Sequence, residues 1–225
     1  MKIRITAHDG HELDAYVSRP EADCKGGLVV AQEMYGINDY LRAVCDFYAA
    51  NGYLAIAPSL YDRRQRGLVF PYDVEGHRQA QLCYKGWSWD QALDDLDAAR
   101  EAVSEAGGVG IVGFCWGGTL AWLAACRRNY SCAVAYYGSM MPDFADEKAR
   151  CPVIAHIGDM DSTLPAARVA QFHQAQPSVP IYIYQGAKHG FDNSSRTERF
   201  DPVATHVARK RTLEFLAEYW GSAVY

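Results

Sequence analysis

Six short apolar segments, separated by stretches with helical periodicity, constrain the fold of this chain more than any other feature. They are rich in Val, Ile and Tyr and lie at 27–32, 53–58, 109–114, 132–138, 152–158 and 180–186. Each has the length and composition of a buried parallel strand. Helical patterns lie at 39–52, with Gly52 as its expected C-cap, at 89–108 and at 203–220. The alternation predicts an α/β fold with a mostly parallel central sheet and helices on both faces.

Two regions depart from this alternation. Residues 2–6 and 12–18 alternate with period two around Asp9 and Gly10, which predicts an antiparallel N-terminal hairpin. Residues 61–89 are polar, aromatic and irregular, so they form either part of a binding site at the carboxyl edge of the sheet or an ordinary surface insertion. Nothing in the chain resembles a linker, and we predict one domain over residues 1–225.

The charge pattern argues against polyanionic partners. Net charge is −5, from 22 basic and 27 acidic residues, and the basic residues are scattered. We therefore expect a small-molecule partner, without nucleic acid or membrane, and a monomer or weak homodimer. The N-terminus becomes polar too early for a signal peptide, and no apolar run reaches the length of about 18 residues that suggests a membrane span.

The cysteines indicate the compartment. Seven cysteines, an odd number, lie mostly in apolar segments, which is typical of reduced thiols in a cytoplasmic protein. No CxxC or HxxxH spacing occurs, so we predict no structural zinc, although ligands from distant segments remain open.

The segment from Gly113 to Gly117, GFCWG, follows an apolar run and precedes a helical pattern. This spacing is typical of a nucleophile elbow, in which the strained turn exposes the nucleophile and glycines prevent a clash between neighbouring turns. Cys115 would be that nucleophile, at the positive end of a helix dipole. The alternative is a glycine-rich turn with a passive small hydrophobe at its apex.

An acid and a histidine follow in the order that such a site requires. Asp161 lies two residues deeper than Asp159 in the loop after 152–158, so Asp161 is the expected acid and Asp159 is expected to shape the turn. His189 follows the next apolar segment and is the expected base, whereas His156 lies within a predicted strand and is expected in the core.

The loop after the first parallel strand supplies two further candidates. The N–H groups of Met34 and Trp116 would form an oxyanion hole. Glu33 ends an apolar strand, where burial of a carboxylate needs a partner. Glu33 either accepts the thiol proton of Cys115 or pairs with an arginine or loop amides.

These residues together resemble the dienelactone hydrolase (carboxymethylenebutenolidase) family of the α/β-hydrolase fold. The resemblance runs through AQEMYGIN, GYLAIAPSLYDR, GFCWGG, AVAYYG, HIGDMDSTLP and KHGF, in family order. It implies a hydrolase with a triad of Cys115, His189 and Asp161, in which Glu33 is hydrogen-bonded to the resting thiol and takes its proton on substrate binding. It also implies lactone opening through a cysteinyl acyl-enzyme, without metal or organic cofactor.

The same resemblance places substrate-lining side chains at Tyr84 and Tyr137, with Phe191 as an apolar wall; the alternative for each is a place in the core. The sequence departs from the family pattern at two positions. Family members grip the carboxylate of dienelactone with two arginines, whereas the matching positions of this chain hold Ala80 and Asn193. Arg78 is the first candidate to replace them. Other candidates are Arg196, Arg63 and Arg64.

Three functions follow from these observations. The first is a dienelactone hydrolase-like enzyme that opens lactones or cleaves small esters, including an esterase for a neutral, non-dienelactone substrate. The second is a non-catalytic ligand-binding protein on the same scaffold, and the third is a redox thiol protein. The last would need a resolving thiol, and the nearest in sequence, Cys126, lies three turns along the following helix.

Overall fold

The computed structural model describes residues 1–220. Of residue 220 it describes the backbone alone. Its contacts divide into two compact units, one of residues 1–110 and one from residue 111 onward. The prediction of a single domain over 1–225 stays a prediction. No helix in the described part of the chain is both long and apolar enough to cross a membrane.

The first unit contains four strands and begins with the expected hairpin. Its strands are β1 (Lys2–Thr6), β2 (Glu12–Ser18), β3 (Gly26–Ala31) and β4 (Tyr53–Pro58). β1 and β2 are antiparallel, with Thr6 opposite Glu12, and Gly10 in the turn has φ +84°. The strand order is β1-β2-β4-β3, with β3 and β4 parallel. The hairpin prediction is confirmed.

Helix α1 (Asp39–Ala50) connects the two parallel strands of this unit. It begins where the Asn38 side chain accepts the Leu41 N–H at 3.1 Å, which satisfies one of the amides at the helix start. The C-cap is Asn51 rather than Gly52, so the cap prediction is wrong by one residue. Gly52 follows at φ +96°, a conformation that glycine adopts at little cost.

The segment predicted as irregular contains a helix. Helix α2 (Val74–Tyr84) begins at Asp73, whose carboxylate accepts the Gly76 N–H at 2.7 Å. The prediction for 61–89 is wrong over this helix because α2 buries only three small residues and therefore lacks a strong apolar period. Those three are Gly76, Ala80 and Cys83. Helix α3 (Trp89–Ala102) follows and then a short 3₁₀ turn.

The second unit contains four parallel strands in sequential order, of which the first begins two residues before the unit itself. They are β5 (Val109–Phe114), β6 (Ala133–Tyr136), β7 (Val153–Gly158) and β8 (Ile181–Tyr184). The connecting helices are α4 (Trp116–Arg127) and α5 (Ala166–Ala175), and α6 (Pro202–Trp220) closes the described chain. Since parallel strands end at the same edge, the loops after β5, β6, β7 and β8 meet there.

Burial of these strands is uneven. Every residue of β5, β6 and β7 is buried, as predicted, whereas Ile183 in β8 is 54% exposed. The prediction of a buried strand is wrong for β8 because this strand ends the sheet order, where fewer elements cover it.

His156 lies in the core of β7, as expected. Its Nδ1 is 2.8 Å from the Tyr184 hydroxyl and its Nε2 is 3.1 Å from the Thr212 hydroxyl. Burial, with a smaller contribution from the charge of Arg211, lowers the pKa of His156 to about 3. The imidazole is therefore neutral and serves as a hydrogen-bonding core residue.

Candidate active site

Cys115 occupies the turn between β5 and α4. Its φ of +56° is rare for a residue with a side chain, and its N–H donates to the Tyr136 carbonyl at 3.0 Å. A Cβ added to Gly113 would lie 1.8 Å from the Gly117 carbonyl oxygen. The turn therefore has the strained backbone and the close crossing that the GFCWG pattern predicts, with Cys115 partly exposed.

Asp161 lies in the loop after β7 and is buried. One of its oxygens, Oδ2, is 2.8 Å from Nδ1 of His189, and the other accepts the Leu164 N–H at 3.2 Å. Burial raises the pKa of this carboxyl, but hydrogen bonds from His189 and Thr163 outweigh burial and lower it. Asp161 is therefore ionised near neutral pH and can orient the imidazole.

Asp159, two residues earlier, has the structural role expected of it. Its carboxylate accepts the Gly186 N–H at 2.7 Å and so connects the loop after β7 to the turn after β8. This hydrogen bond fixes the base of the loop from which Asp161 reaches His189.

His189 follows β8 and completes the sequence of three. It shares a hydrogen bond with the Cys115 sulfur while its Nδ1 faces Asp161. Burial lowers the pKa of His189, but the charge of the Cys115 sulfur and the hydrogen bonds to Asp161 and Cys115 raise it above its ordinary value. The structure thus brings Cys115, His189 and Asp161 together, with the imidazole between the thiol and the carboxylate.

Aromatic side chains hold the imidazole in place. Tyr137 has φ +39° and packs edge-on against His189, with ring centroids 5.1 Å apart. Phe191 packs against Tyr137 at 5.4 Å and against Tyr184 at 5.1 Å. Both Tyr137 and Phe191 are fully buried, so Phe191 supports the Tyr137 ring that contacts His189, while their predicted contact with substrate stays a prediction.

Thr163 is a site residue that sequence reasoning missed. Its hydroxyl lies 2.7 Å from Asp161 Oδ1 and 2.8 Å from His189 Nδ1. The only sequence signal is a hydroxyl residue two positions after an aspartate, a spacing that favours a local hydrogen-bonded turn. That signal indicates the turn and carries no information about the histidine.

Among the remaining predicted site residues, Trp116 is buried at the start of α4, and the others belong to the first unit. Glu33 and Met34 follow β3 and are buried, and the Met34 carbonyl accepts the Tyr61 hydroxyl at 2.7 Å. Tyr84 is the last residue of α2. Arg78 lies on the exposed surface of α2, where its Nε donates to Glu75 at 2.8 Å.

Other arginines considered for a substrate carboxylate already have partners. Arg63 donates to both oxygens of Asp95 at 2.8 Å, Arg64 lies over the Trp87 ring, and Arg196 donates to Glu198 at 3.1 Å. A cavity of about 270 Å³ opens beside His189 and is lined by Met160, Ser162, Lys188, His189, Glu198 and Arg199. Its basic side chains are Lys188 and Arg199.

Comparison with known proteins identifies the family. The family model described as "Dienelactone hydrolase family" matches residues 13–220. The chain belongs to the dienelactone hydrolase family. A carboxymethylenebutenolidase of Pseudomonas putida is 31% identical over 227 residues, which cover 96% of this chain and 95% of that relative.

Solved structures agree with this assignment. A Klebsiella pneumoniae protein of dienelactone hydrolase type has a TM-score of 0.83 and 28% identity, over 97% of this chain and 100% of that one. An alpha-beta serine hydrolase homologue from Coxiella burnetii has a TM-score of 0.65 at 16% identity, over 97% of this chain and 96% of that one. The predicted α/β-hydrolase fold is confirmed, and this member of the dienelactone hydrolase family is an ester hydrolase.

Proposed function

We propose that the protein opens lactones or cleaves small esters through a thioester formed on Cys115. The observation that supports this most directly is the arrangement of Cys115, His189 and Asp161 around one strained turn. Each group has the chemical type and the neighbour that covalent acyl transfer needs.

The reaction takes place in two steps. The thiol proton moves to His189, and the Cys115 sulfur attacks the substrate carbonyl carbon, forming a tetrahedral oxyanion. Collapse of this intermediate breaks the ester C–O bond, and the proton held by His189 moves to the leaving oxygen. Water then loses a proton to His189 and attacks the thioester, which releases the carboxylic acid and returns the proton to sulfur.

Two further groups take part in this proposal. The N–H groups of Trp116 and Met34 stabilise the oxyanion, since donors aimed at developing charge contribute the most to acyl transfer. Glu33 is the second candidate to accept the thiol proton, as the family resemblance implies, and in that case Glu33 in place of His189 gives the proton to the leaving oxygen. Both roles stay predictions.

The substrate class follows from charge around His189. Ala80 and Asn193 replace the two family arginines, and Arg78 is held by Glu75 on an exposed helix surface. A neutral ester or lactone has no carboxylate for those arginines to bind, so it loses no contact through their replacement. A carboxylated substrate has Lys188 and Arg199 as the basic side chains of the cavity beside His189. Tyr84 and Tyr137 line the substrate in this proposal.

The redox alternative has weaker support. Burial, the largest cause, raises the pKa of the Cys126 thiol to about 12. Because the thiolate is the species that resolves an oxidised cysteine, Cys126 would react slowly near neutral pH. The ligand-binding alternative does not explain the contact between Asp161 and His189, since binding alone does not require a carboxylate to orient the imidazole.

Single-turnover hydrolysis tests the proposal. A neutral aryl ester and a carboxylated dienelactone are each mixed with the parent, with Cys115→Ala, and with Cys24→Ala as a matched loss of an exposed thiol. We expect the parent and Cys24→Ala to cleave the neutral ester and Cys115→Ala to be inactive, with a thioester detectable by rapid-quench mass spectrometry. Equal activity of Cys115→Ala and parent would refute the proposal.

The result with the second substrate decides its class. Cleavage of both substrates means that another cation replaces the missing arginines, whereas cleavage of the neutral ester alone assigns the enzyme to non-carboxylated substrates. No cleavage, together with rapid reversible loss of two thiols to peroxide, would favour the redox alternative.

Cytoplasmic location, the absence of a cofactor, of nucleic acid and of membrane as partners, and a monomer or weak homodimer all stay predictions. Sedimentation velocity tests the oligomeric state directly.

A further inference from the structure

Thr163 lies at the surface, yet its hydroxyl contacts two residues of the candidate active site. The residue is exposed, yet its hydroxyl lies 2.7 Å from Asp161 Oδ1 and 2.8 Å from His189 Nδ1. Its N–H also donates to Asp161 Oδ1 at 2.8 Å. One small side chain therefore contacts both the acid and the base of the triad.

Counting protons fixes the direction of these hydrogen bonds. Asp161 is ionised and can only accept, so the Thr163 hydroxyl proton points to Oδ1 and the His189 Nδ1 proton points to Oδ2. The hydroxyl has a single proton, which means that its contact with Nδ1 is one in which the Thr163 oxygen accepts. The Nδ1–H is thus shared between Asp161 Oδ2 and Thr163 Oγ1.

The two carboxylate oxygens consequently have different tasks. Oδ1 accepts three hydrogen bonds, from the Thr163 hydroxyl and from the N–H groups of Thr163 and Leu164. Oδ2 faces His189. Since Oδ1 is already saturated, the carboxylate cannot rotate without breaking several hydrogen bonds at once.

We propose that Thr163 is a positioning residue of the triad, which fixes the rotation of the Asp161 carboxylate and provides a second acceptor for the Nδ1 proton of His189. With its proton held at Nδ1, the imidazole presents Nε2 to Cys115 as a proton acceptor. The effect of Thr163 on the rate of turnover rests on the proposed function, whereas its effect on the protonation of the Cys115–His189 pair does not.

The groups that surround the imidazole define what a titration will report. The charged and titratable side chains near His189 are Cys115, Asp161, Tyr137, Lys188, Glu198 and Arg199. None of these changes when Thr163 is replaced, so a shift in titration between variants reports the hydroxyl itself.

Three variants test the proposal. Thr163→Val removes the hydroxyl and keeps the shape, Thr163→Ser restores the hydroxyl, and Thr6→Val makes the same change at an exposed threonine in β1. Each variant is assayed for kcat and KM on an aryl ester against pH. Alkylation of Cys115 by iodoacetamide is followed against pH by mass spectrometry of the Cys115 peptide, and urea unfolding checks that each variant folds.

We expect Thr163→Val to lose about tenfold in kcat with KM unchanged, the loss typical of one hydrogen bond to a charged group. Its alkylation midpoint should move to higher pH, because the imidazolium that stabilises the thiolate loses an acceptor. Thr163→Ser should recover both properties and Thr6→Val should match the parent.

A folded Thr163→Val with the parent's alkylation profile, or a Thr163→Ser that does not recover, would overturn the proposal. If no ester is cleaved even by the parent, the hydrolase proposal fails separately, and the alkylation profiles still decide the role of Thr163.

Discussion

Replacing Gly113 with alanine tests whether the turn that carries Cys115 depends on a close backbone crossing. The new Cβ would lie 1.8 Å from the Gly117 carbonyl oxygen, where ordinary contacts begin near 3.4 Å, an overlap of about 1.6 Å with backbone. A carbonyl in the first turn of α4 cannot rotate away as a flexible side chain can, so the turn itself must move. We expect a loss of about 1–3 kcal/mol in the free energy of unfolding, as for overpacked cores.

Activity should fall further than stability, because displacement of a nucleophile by about 1 Å can cost about a hundredfold in rate. Ester hydrolysis and urea unfolding are measured for Gly113→Ala, Gly118→Ala and Gly186→Ala. At Gly118 the nearest atom, the Tyr136 carbonyl oxygen, is 2.5 Å away, whereas at Gly186 nothing lies within 4 Å and only its φ of +76° resists a side chain. The expected order of activity loss is therefore Gly113, Gly118, Gly186. A Gly113→Ala enzyme as active and stable as the parent would refute the reasoning.

Three further predictions concern ionisable groups. Asp161→Asn should lower activity by about 10³–10⁴-fold. Because the pKa of Asp161 is lowered in the folded state, the parent's stability advantage over this variant should be complete above pH 3.8 and shrink as pH falls through the folded value, measured by urea unfolding against pH. His156 has a folded pKa of about 3 against an ordinary 6.5, so only the unfolded chain binds this proton between those values. As pH falls through that window, the free energy of unfolding of the parent should decrease by about 1.4 kcal/mol per pH unit, and His156→Gln should lack this slope; parallel slopes would contradict the reasoning. Glu33→Gln should fold normally and acylate more slowly in stopped-flow assays, and an unchanged acylation rate would mean that His189 suffices as the base.

Features that depend on neighbouring residues in the chain could be predicted from sequence. The hairpin depends on Asp9 and Gly10, and the turn at Cys115 depends on Gly113 and Gly117, all within a few residues of the structure that they produce. Asp161 and His189 could be found because each follows an apolar strand, and parallel strands end at a common edge.

Other features depend on contacts that no local pattern encodes. Helix α2 buries three small residues, so its sequence lacks the apolar period that would have predicted it. The position of Arg78 is decided by Glu75, three residues earlier, which holds the guanidinium at the exposed surface. The role of Thr163 depends on the path of the loop, which brings a hydroxyl two residues from Asp161 against an imidazole that follows the next strand.

All three triad residues come from one continuous segment, from Cys115 to His189, about a third of the chain. They follow β5, β7 and β8, which belong to a run of four strands, β5-β6-β7-β8, that has the same order in the sheet and in sequence. Insertions, deletions and substitutions before residue 109 therefore leave the spacing of nucleophile, acid and base along the chain unaltered. Changes in that earlier portion can alter Tyr84 and the proposed contributions of Glu33 and Met34, while the segment that carries Cys115, Asp161 and His189 is inherited as one block.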